Sequence, residues 1–272
     1  MTSPSLFSLQ IDRRLPRAAQ LYSALREAIL SLRLKPGTPI SENWVCQQCG
    51  VSRTPAREAL IRLTHDELIV VFPQHGSFVA PIRLKKVIEA SFVREALEIS
   101  ILKMAHSVWT KADTKAVKAI IDRQRVHASN NDHPAFFNED QNFHHYFAQI
   151  AGAEGISAII NETATHLVRI RRLTNPVKGH MQHAIADHQN ILDHIGTGDL
   201  DGAIAGLTQH LSQVFQRFDM AVEQQPEYFE DFNGVRDDIP EAMRRYLSSY
   251  VRPREASATT PRPKRSMKAV PS

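Results

Sequence analysis

The stretch Gly50-Val51-Ser52-Arg53-Thr54-Pro55-Ala56-Arg57-Glu58-Ala59-Leu60 decides the fold of this 272-residue chain. Gly50 follows a helical pattern and is the residue type that most often ends a helix. Ser52 can cap the next helix through its hydroxyl, and Pro55 falls in the first turn, where its missing N–H is harmless. The pattern therefore predicts two helices joined by a tight turn, with the second continuing to about residue 65.

The flanking sequence extends this prediction to a winged helix-turn-helix. Apolar residues at spacings of three and four predict a first helix over Pro16–Arg33, and Glu42–Cys49 forms the helix before the turn. The β-favouring runs Leu68–Phe72 and Ser77–Ala80 flank Pro73-Gln74-His75-Gly76, which predicts a hairpin, or wing.

The second helix of the turn has the side chains that a DNA-reading helix needs. Arg53 and Arg57 lie four residues apart on one face, and either can contact guanine or a phosphate. Thr54 is suited to a phosphate, and the wing tip to the minor groove or the DNA backbone. The predicted DNA-binding residues are Ser52, Arg53, Thr54, Arg57, His75 and Gly76. Taken singly, they also fit an exposed amphipathic helix with two solvated arginines.

Length and composition limit which classes of protein this chain can belong to. With 272 residues it is long enough for two domains with separate cores. No apolar run approaches the ~20 residues of a membrane span, and Met1–Gln10 lacks the pattern of a secretory signal. The two cysteines, Cys46 and Cys49, suit a reducing compartment and are interpreted as packing residues. We therefore expect a soluble protein in the cytoplasm, without a membrane partner.

Charge is distributed unevenly along the chain. Residues 1–83 carry 10 basic and 6 acidic side chains, residues 84–250 carry 17 and 22, and residues 251–272 carry 6 and 1. A positive N-terminal part suits a polyanion such as DNA, whereas the acidic middle does not. A chance fluctuation is the alternative explanation.

Beyond Pro81 the sequence changes to long helical patterns that predict an all-α bundle. The six predicted helices cover about 83–108, 113–130, 135–151, 156–173, 180–195 and 199–223. A short helix is expected near Glu241–Tyr250, and a disordered, basic segment from about 252. The fold class is therefore mainly α, with an N-terminal winged helix-turn-helix plus a C-terminal all-α helical bundle. The predicted domains are an N-terminal extension (1–15), the DNA-binding domain (16–81), the helical domain (82–225) and a C-terminal extension (226–272).

The helical half is rich in histidine, and one residue pair has the spacing of metal ligands. Asp140 and His144 lie four residues apart, so a carboxylate and an imidazole project from one helix face toward the same ion. Two imidazoles from facing helices would complete a site with three nitrogens and one oxygen. Spacing alone leaves several histidines open for these two places: His145, His166, His183, His188, His194 and His210.

The N-terminal part carries an ordered set of short motifs. They are Pro36-Gly37, Ile40-x-Glu42, Val51-Ser52-Arg53-Thr54-Pro55, Arg57-Glu58-Ala59-Leu60 and the wing residue Gly76. In this order they resemble the GntR family of bacterial regulators, over nearly all of residues 16–81. The resemblance implies a transcription regulator that binds a double-stranded DNA operator.

The helical half carries a second set of motifs, spread over residues 84–220. They are Asp140-x-x-Phe143-His144, His188-x-x-Ile191-Leu192, Gly198-Asp199, a final His210 and, in part, Arg94-x-x-Leu97-Glu98. This set is similar to the FCD domain, the ligand-binding domain of the FadR-like branch of GntR regulators, with the six-helix VanR type as a candidate subgroup. The resemblance implies that Asp140, His144, His188 and His210 hold a divalent metal ion: zinc first, with nickel and manganese as alternatives.

The same resemblance implies an effector at the metal. Four protein ligands leave two positions open on an octahedral ion, and the carboxylate or phosphate of a small metabolite can fill them. Arginines can pair with a second acidic group, and Arg94 and one or more of Arg169, Arg171 and Arg172 are candidates. The expected effector-binding residues are Arg94, Glu98, Arg169 and Arg172. Ordinary salt bridges are the alternative role of these arginines.

Together these features predict a regulator and not an enzyme. We expect a repressor that binds a near-palindromic operator as a homodimer, joined through the helical domains, with a tetramer as an alternative. Effector binding would change its DNA affinity. Two other functions stay open. A metal centre with open positions suits a hydrolase with Glu98 or Glu139 as its acid or base, and a purely structural metal needs no effector.

Overall fold

The computed structural model describes residue 12 and residues 14–177, 179–230 and 240–250. Most of the predicted N-terminal extension, and the segment from about 252 that is expected to be disordered, lie outside the described residues. Within those residues, no helix has both the length and the apolar character needed to cross a membrane.

The N-terminal half consists of three helices followed by a two-stranded hairpin. Its elements are α1 (Arg17–Leu30), α2 (Glu42–Cys49), α3 (Arg53–His65), β1 (Ile69–Phe72) and β2 (Gly76–Val79). The strands pair antiparallel, with Ile69 opposite Val79 and Phe72 opposite Gly76. Each element lies within a few residues of its predicted bounds, and the winged helix-turn-helix is confirmed.

The turn between α2 and α3 forms as the sequence predicts, with one exception. Gly50 adopts a left-handed conformation with φ +64° and donates its N–H to the carbonyl of Cys46 at 3.0 Å. The predicted capping role of Ser52 is wrong, because its hydroxyl makes no hydrogen bond to the first turn of α3. Ser52 occupies the N-cap position with an extended backbone, but it is exposed, so water can satisfy its hydroxyl.

The C-terminal half is built from helices. They are α4 (Leu84–Ser107), α5 (Lys111–Ser129), α6 (His133–Ile150), α7 (Glu154–Thr163), α8 (Thr165–Thr174), α9 (His180–Gly196) and α10 (Leu200–Gln224). A short 3-10 helix follows at Pro226–Tyr228, and α11 (Glu241–Tyr250) forms where a short helix is expected. The mainly α fold class, with a winged helix-turn-helix and a helical bundle, is therefore confirmed.

One predicted helix, over 156–173, is two helices in the structure. α7 ends at Thr163 and α8 begins at Thr165, with a turn at Ala164 between them. No proline or glycine marks this break, so the prediction of a single helix is wrong for lack of a local sequence feature. The break lets α7 stay mostly outside the core while α8 is buried along most of its length.

The apolar core does not divide at the predicted domain boundary. One cluster of buried side chains runs from Leu21 of α1 and Val79 of β2 to Ile170 of α8 and Phe218 of α10. A second cluster lies inside the helical half, around Phe143. The DNA-binding half therefore packs on the helical half through shared apolar surface. The exact domain bounds stay a prediction.

The junction between the two halves is held from one side by α8. Arg169 is fully buried and donates from Nη1 to the carbonyl of Ala80 at 2.6 Å and from Nη2 to that of Pro81 at 3.3 Å. His166 accepts the backbone N–H of Arg83 at Nδ1, 3.0 Å away, and this Nδ1 lies 2.9 Å from Arg169 Nη2. The residues that follow β2 are thus fixed to the helical half.

From the other side, the junction is held by the chain that follows α10. Ile82 donates its N–H to the carbonyl of Tyr228 at 2.8 Å and accepts the N–H of Glu230 at 3.1 Å, which makes a parallel bridge. Phe229 packs edge-to-face on Phe218 of α10, with ring centroids 5.4 Å apart. The backbone groups of residues 80–83 are hydrogen-bonded to α8 on one side and to residues 228–230 on the other. The junction is therefore held rigidly and is not a flexible linker.

Candidate functional site

Four potential metal ligands from three helices meet in the interior of the helical half. Asp140 and His144 project from α6, His188 from α9 and His210 from α10. One potential ligand atom from each lies within 4.8 Å of the others. Among the described residues, this is the only such group of histidine, cysteine and acidic side chains. We call it the Asp140 cluster.

The contacts inside the Asp140 cluster show how its donor atoms are arranged. The Nε2 atoms of His188 and His210 are 3.2 Å apart, and His188 Nε2 is 3.8 Å from Oδ1 of Asp140. The other carboxylate oxygen of Asp140, Oδ2, pairs with Arg171 of α8. Asp140 therefore directs one oxygen toward the histidines and shares the other with an arginine.

Each imidazole of the cluster is held in position by a neighbouring side-chain oxygen that contacts its Nδ1 atom. We describe such a residue as holding the imidazole from behind. The contacts are His144 Nδ1 to Glu98 Oε2 at 2.8 Å, His188 Nδ1 to Gln124 Oε1 at 2.9 Å and His210 Nδ1 to Asp187 Oδ2 at 3.2 Å. Because these oxygens accept, the Nδ1 atoms carry the protons and the Nε2 lone pairs are available. Nε2 of His144 is buried and has no hydrogen-bond partner in the described part of the chain. Histidine ligands of metal ions are oriented in the same way.

Electrostatics keep the cluster in the protonation states that metal binding requires. Burial lowers the pKa of His144 to about 4, and burial together with the neighbouring His210 lowers the pKa of His188 well below its usual value. Burial would raise the pKa of Asp140, but Arg171 and the histidines outweigh it and hold this pKa well below its usual range. At neutral pH both imidazoles are neutral and the carboxylate is ionised, as metal ligands must be.

The donor set of the cluster fits a divalent transition-metal ion. Imidazole suits zinc and nickel, and a carboxylate suits manganese as well. Ligands at ~2.0–2.2 Å from one ion lie at most ~4.4 Å apart. Only ligands on opposite sides of an ion lie that far apart, so the separations here, up to 4.8 Å, must shrink when an ion binds. Coordination would also satisfy the partnerless Nε2 of His144.

A cavity of about 40 Å³ lies beside the cluster. Asp140 and His210 form part of its wall, and three arginines line it: Arg94, Arg171 and Arg217. Because one water molecule needs ~10–15 Å³ of such space, the cavity has room for about three waters or a group of similar size. The cavity is therefore small and lined by positive charge.

The predicted DNA-binding residues of α3 are exposed. Ser52, Arg53 and Thr54 stand at the N-terminal end of the helix. The side chain of Arg57, one turn later, is 72% exposed and lies 3.6 Å from Oε1 of Glu42. An exposed pair at this distance contributes little to stability, so Arg57 is available to contact DNA.

The wing tip is exposed as well. His75 donates its N–H to the carbonyl of Phe72 at 3.1 Å and closes the turn of the hairpin. Gly76 has φ +100°, a conformation that other residues rarely adopt, so glycine is needed at this position. Cys46 and Cys49 of α2 are free thiols that pack, half-buried, against the core, as expected of packing residues.

Comparisons with known proteins match both halves of the chain. The bacterial regulatory proteins of the gntR family match residues 17–79, and the FCD domain matches residues 89–213. An HTH-type transcriptional regulator from an unstable DNA locus of Streptomyces ambofaciens is 32% identical over 209 residues, which are 77% of this chain and 88% of that protein. The chain belongs to the gntR family.

Other relatives of this gntR-family chain agree. The HTH-type transcriptional repressor RspR of Escherichia coli K12 is 28% identical over 222 residues, which are 82% of this chain and 97% of that protein. Among solved structures, E. coli McbR/YncC shares the fold, with a TM-score of 0.63 at 19% identity over 77% of this chain and 99% of that one. The chain is therefore a DNA-binding transcription regulator, and the hydrolase alternative is wrong.

Two of the four expected effector residues of this gntR-family chain do not reach the cavity. Arg169 bonds to the junction, and Arg172 pairs with Glu27 of α1 at 2.8 Å and stacks over the ring of Phe137. The structure does not bring them to the cavity, for a geometric reason. Arg169 and Arg172 are three residues apart and share the face of α8 toward the N-terminal half, whereas Arg171 faces the cavity.

The other two expected effector residues divide between two roles. Arg94 lines the cavity and donates from Nε to Oε1 of Glu98 at 2.6 Å. Glu98 does not line this cavity but holds His144 from behind. Burial would raise the pKa of Glu98, but Arg94 and His144 outweigh it and keep this pKa well below its usual range. Glu98 thus positions a candidate metal ligand.

Sequence reasoning missed Gln124 and Asp187, two of the three residues that hold the imidazoles from behind. Gln124 is fully buried on α5 and also donates from Nε2 to the carbonyl of Glu139 at 3.1 Å, but it belongs to none of the motifs. Asp187 directly precedes His188, and this adjacency is the one local feature that could have pointed to it. The histidines that compete on spacing lie elsewhere: His145 contacts Ser157, His166 the junction, His183 the carbonyl of Gly179 and His194 Asp199.

Proposed function

We propose that this gntR-family chain is a metal-dependent repressor whose operator affinity responds to a small acid bound beside the metal. The observation that carries the proposal is the Asp140 cluster, in which each of the three imidazoles is oriented through its Nδ1 atom. Buried polar groups gathered in this way are unfavourable unless something pairs with them. A divalent ion, zinc first and nickel or manganese next, pairs with them and offers open positions to the oxygens of an acid.

The cavity beside the cluster supports a small anionic effector. Arg94 and Arg171 line it next to Asp140. An entering carboxylate or phosphate can accept charge-assisted hydrogen bonds from these guanidinium groups, which a neutral molecule cannot do as strongly. With about 40 Å³, the cavity excludes bulky metabolites unless it opens. A small organic acid or phosphate is therefore the effector class that we propose.

Helix α8 offers a route from the cavity to the DNA-binding domain. Arg171 contacts the Asp140 cluster, while Arg169 and Arg172 of the same helix contact the junction and α1. A small movement of α8 would therefore act on both ends. We propose that the effector binds more tightly to one placement of the DNA-binding domain than to the other, and that this difference changes DNA affinity.

On DNA, we propose a homodimer that places α3 of each chain in successive major grooves of a near-palindromic operator, with a tetramer as the alternative assembly. Arg53 and Arg57 supply contacts to bases or phosphates. The first turn of α3 has no side-chain cap, so its N–H groups can bind a phosphate beside Ser52 and Thr54. A regulator of this kind acts where the DNA is, in the cytoplasm.

The test of effector control uses simple probes. Operator fragments are selected from genomic DNA of the source organism by their binding to the full chain. Their affinity is then measured by fluorescence anisotropy for zinc-loaded and EDTA-treated protein, with and without acetate, malonate or phosphate. We expect at least one acid to lower DNA affinity only when zinc is present. Affinity that no acid changes would favour a metal that only stabilises the bundle.

DNA reading is tested by Arg57→Ala at fixed salt. If Arg57 contacts a base, the substitution should weaken operator binding by ~1–3 kcal/mol. Arg123→Ala is the matched control, because this half-exposed arginine lies on α5, away from the winged domain, and should leave binding unchanged. A binding curve for Arg57→Ala that coincides with the wild-type curve would reject the role of Arg57.

A further inference from the structure

We infer that Arg217 and His180 form a second anion subsite in the cavity, so that the effector is a small diacid. The inference rests on the proposed function, because it assumes that one acidic group of the effector binds at the Asp140 cluster. Arg217 lies on α10, beyond residue 213, where the FCD match ends. The family match therefore includes His180 but not Arg217.

Arg217 is the arginine of the cavity that makes no direct ion pair within the described residues. Its Nη2 donates to the amide oxygen of Gln213 at 2.8 Å, and within the described residues it makes no ion pair with a carboxylate. The other two arginines of the cavity each pair with one. Burial lowers the pKa of Arg217, against the opposing effect of Asp187, so the guanidinium is partly removed from water. A partly buried cation that makes no direct ion pair favours the binding of an anion.

His180 adds a neutral donor at the same end of the cavity. It is the first residue of α9 and lines the cavity together with Arg217. Its Nδ1 is buried and has no hydrogen-bond partner among the described residues. Burial, together with Arg217, lowers the pKa of His180 to about 3. The neutral imidazole can turn its N–H toward an anion that the guanidinium binds.

Helix geometry separates this subsite from the Asp140 cluster by a short distance. His210 and Arg217 are seven residues apart on α10, which puts them on the same face about 10 Å apart along the axis. Both line the same cavity, with Gln213 between them. The long side chain of Arg217 can close part of this distance. One molecule with two acidic groups can therefore reach both ends.

The size of the cavity limits what joins the two acidic groups. At about 40 Å³, it has no room for a ring or a sugar between them. A chain of one or two carbon atoms, as in malonate or succinate, connects two acidic groups with the least widening of this cavity. A monoacid such as acetate can occupy only one of the two ends.

The test is isothermal titration of the zinc-loaded full chain with acetate, malonate and succinate. We expect at least one diacid to bind at least tenfold more tightly than acetate. Arg217→Gln should reduce the affinity for that diacid to the level of acetate and leave acetate itself unchanged. Arg217→Lys should keep part of the preference, because it retains the charge but not the planar fork of donors.

A matched control and two further measurements accompany the titration. Arg245→Gln removes an exposed arginine that pairs with Glu241 on α11, and it should behave as the wild type. The zinc content and the Tm of every variant are measured and should equal those of the wild type. A variant with a lower value has a folding defect.

Three results would overturn the inference. Equal affinities for acetate and both diacids, or a diacid preference that survives Arg217→Gln, would exclude the subsite while leaving metal-linked acid binding intact. If zinc binds but none of the three acids does, the effector part of the proposed function fails as well.

Discussion

Two buried clusters combine histidine with arginine in this chain, and they differ in what their polar atoms face. In the Asp140 cluster, carboxylate and amide oxygens hold the imidazoles, and ligand atoms from four side chains lie within 4.8 Å of one another. In the junction cluster, which comprises His166 and Arg169, the guanidinium bonds instead to the backbone carbonyls of Ala80 and Pro81. The first arrangement brings several nitrogen and oxygen lone pairs close together. The second connects the backbone at Ala80 and Pro81 to α8.

Two properties that are often used to find functional sites do not separate these clusters. Burial lowers the pKa of His144 to about 4 and the pKa of His166 to about 2. A buried Nε2 atom without a partner also occurs in both, on His144 and on His166. The convergence of several ligand atoms, each on a side chain oriented from behind, is what distinguishes a candidate metal site from a structural joint.

The largest effect should come from removing two of the metal ligands. The double variant His144→Ala, His188→Ala should lose stoichiometric zinc binding, as measured by titration against a chromophoric chelator. His166→Ala is the matched control, because it removes a buried histidine of the junction cluster and should bind one zinc per chain. Zinc kept by the double variant, or lost by His166→Ala, would abolish the distinction between the clusters.

The next effect concerns the junction cluster. Arg169→Met should lower the free energy of unfolding by ~2–4 kcal/mol, because the carbonyls of Ala80 and Pro81 lose their buried donors. Urea unfolding followed by circular dichroism measures this, and zinc stoichiometry should not change. Arg172→Met, which breaks the pair with Glu27, should cost only ~0–1 kcal/mol. If both variants are equally stable, Arg169 does not hold the joint.

A smaller effect on zinc binding is expected when a residue that orients a metal ligand is replaced. Gln124→Leu removes the acceptor that orients Nδ1 of His188, and it should weaken zinc binding about 10–100-fold. Gln189→Leu is the control, since this glutamine on α9 bonds to Asp193 outside the cluster. Zinc affinities are compared by competition with the same chelator. Equal affinities in the two variants would show that orientation from behind does not matter here.

The smallest effect is a change in pH dependence at the junction. Burial, reinforced by Arg169, lowers the pKa of His166 to about 2. An unfolded histidine has a pKa of ~6.5, so below this pH the unfolded chain gains a proton that the folded chain does not. The contribution of His166 to the free energy of unfolding is therefore fully present above pH ~6.5 and is lost as the pH falls. The loss is up to ~1.4 kcal/mol per pH unit for each such histidine.

His166→Asn should remove this one contribution. The slope of the unfolding free energy between about pH 6 and pH 5 should become flatter by ~1.4 kcal/mol per pH unit or slightly less. The measurement is urea unfolding of metal-free protein at several pH values. A slope identical to that of the wild type would mean that His166 is not held neutral by its surroundings.

Features set by local spacing were predictable from the sequence. The turn at Gly50 depends on one left-handed residue, and the strands of the wing depend on short β-favouring runs. The selection of His188 and His210 came from motifs of a known family, because spacing alone left six histidines open. The structure brings both next to Asp140 and His144.

Features set by packing between helices were not predictable. The break at Ala164 carries no proline or glycine, and it separates α7, which is mostly outside the core, from the buried α8. Periodicity puts Arg169 and Arg172 on one face and Arg171 on another, but it cannot say which face points inward. Gln124 contacts His188 across 64 residues of sequence, and no local pattern records a contact of that kind.

The central claim is that the Asp140 cluster holds a metal ion. Native mass spectrometry of the chain, purified from its own host without chelators, tests this most directly. We predict a mass increase of one divalent transition-metal ion per chain, which is absent from the His144→Ala, His188→Ala variant prepared in the same way. A wild-type mass equal to that of the metal-free chain would contradict the claim.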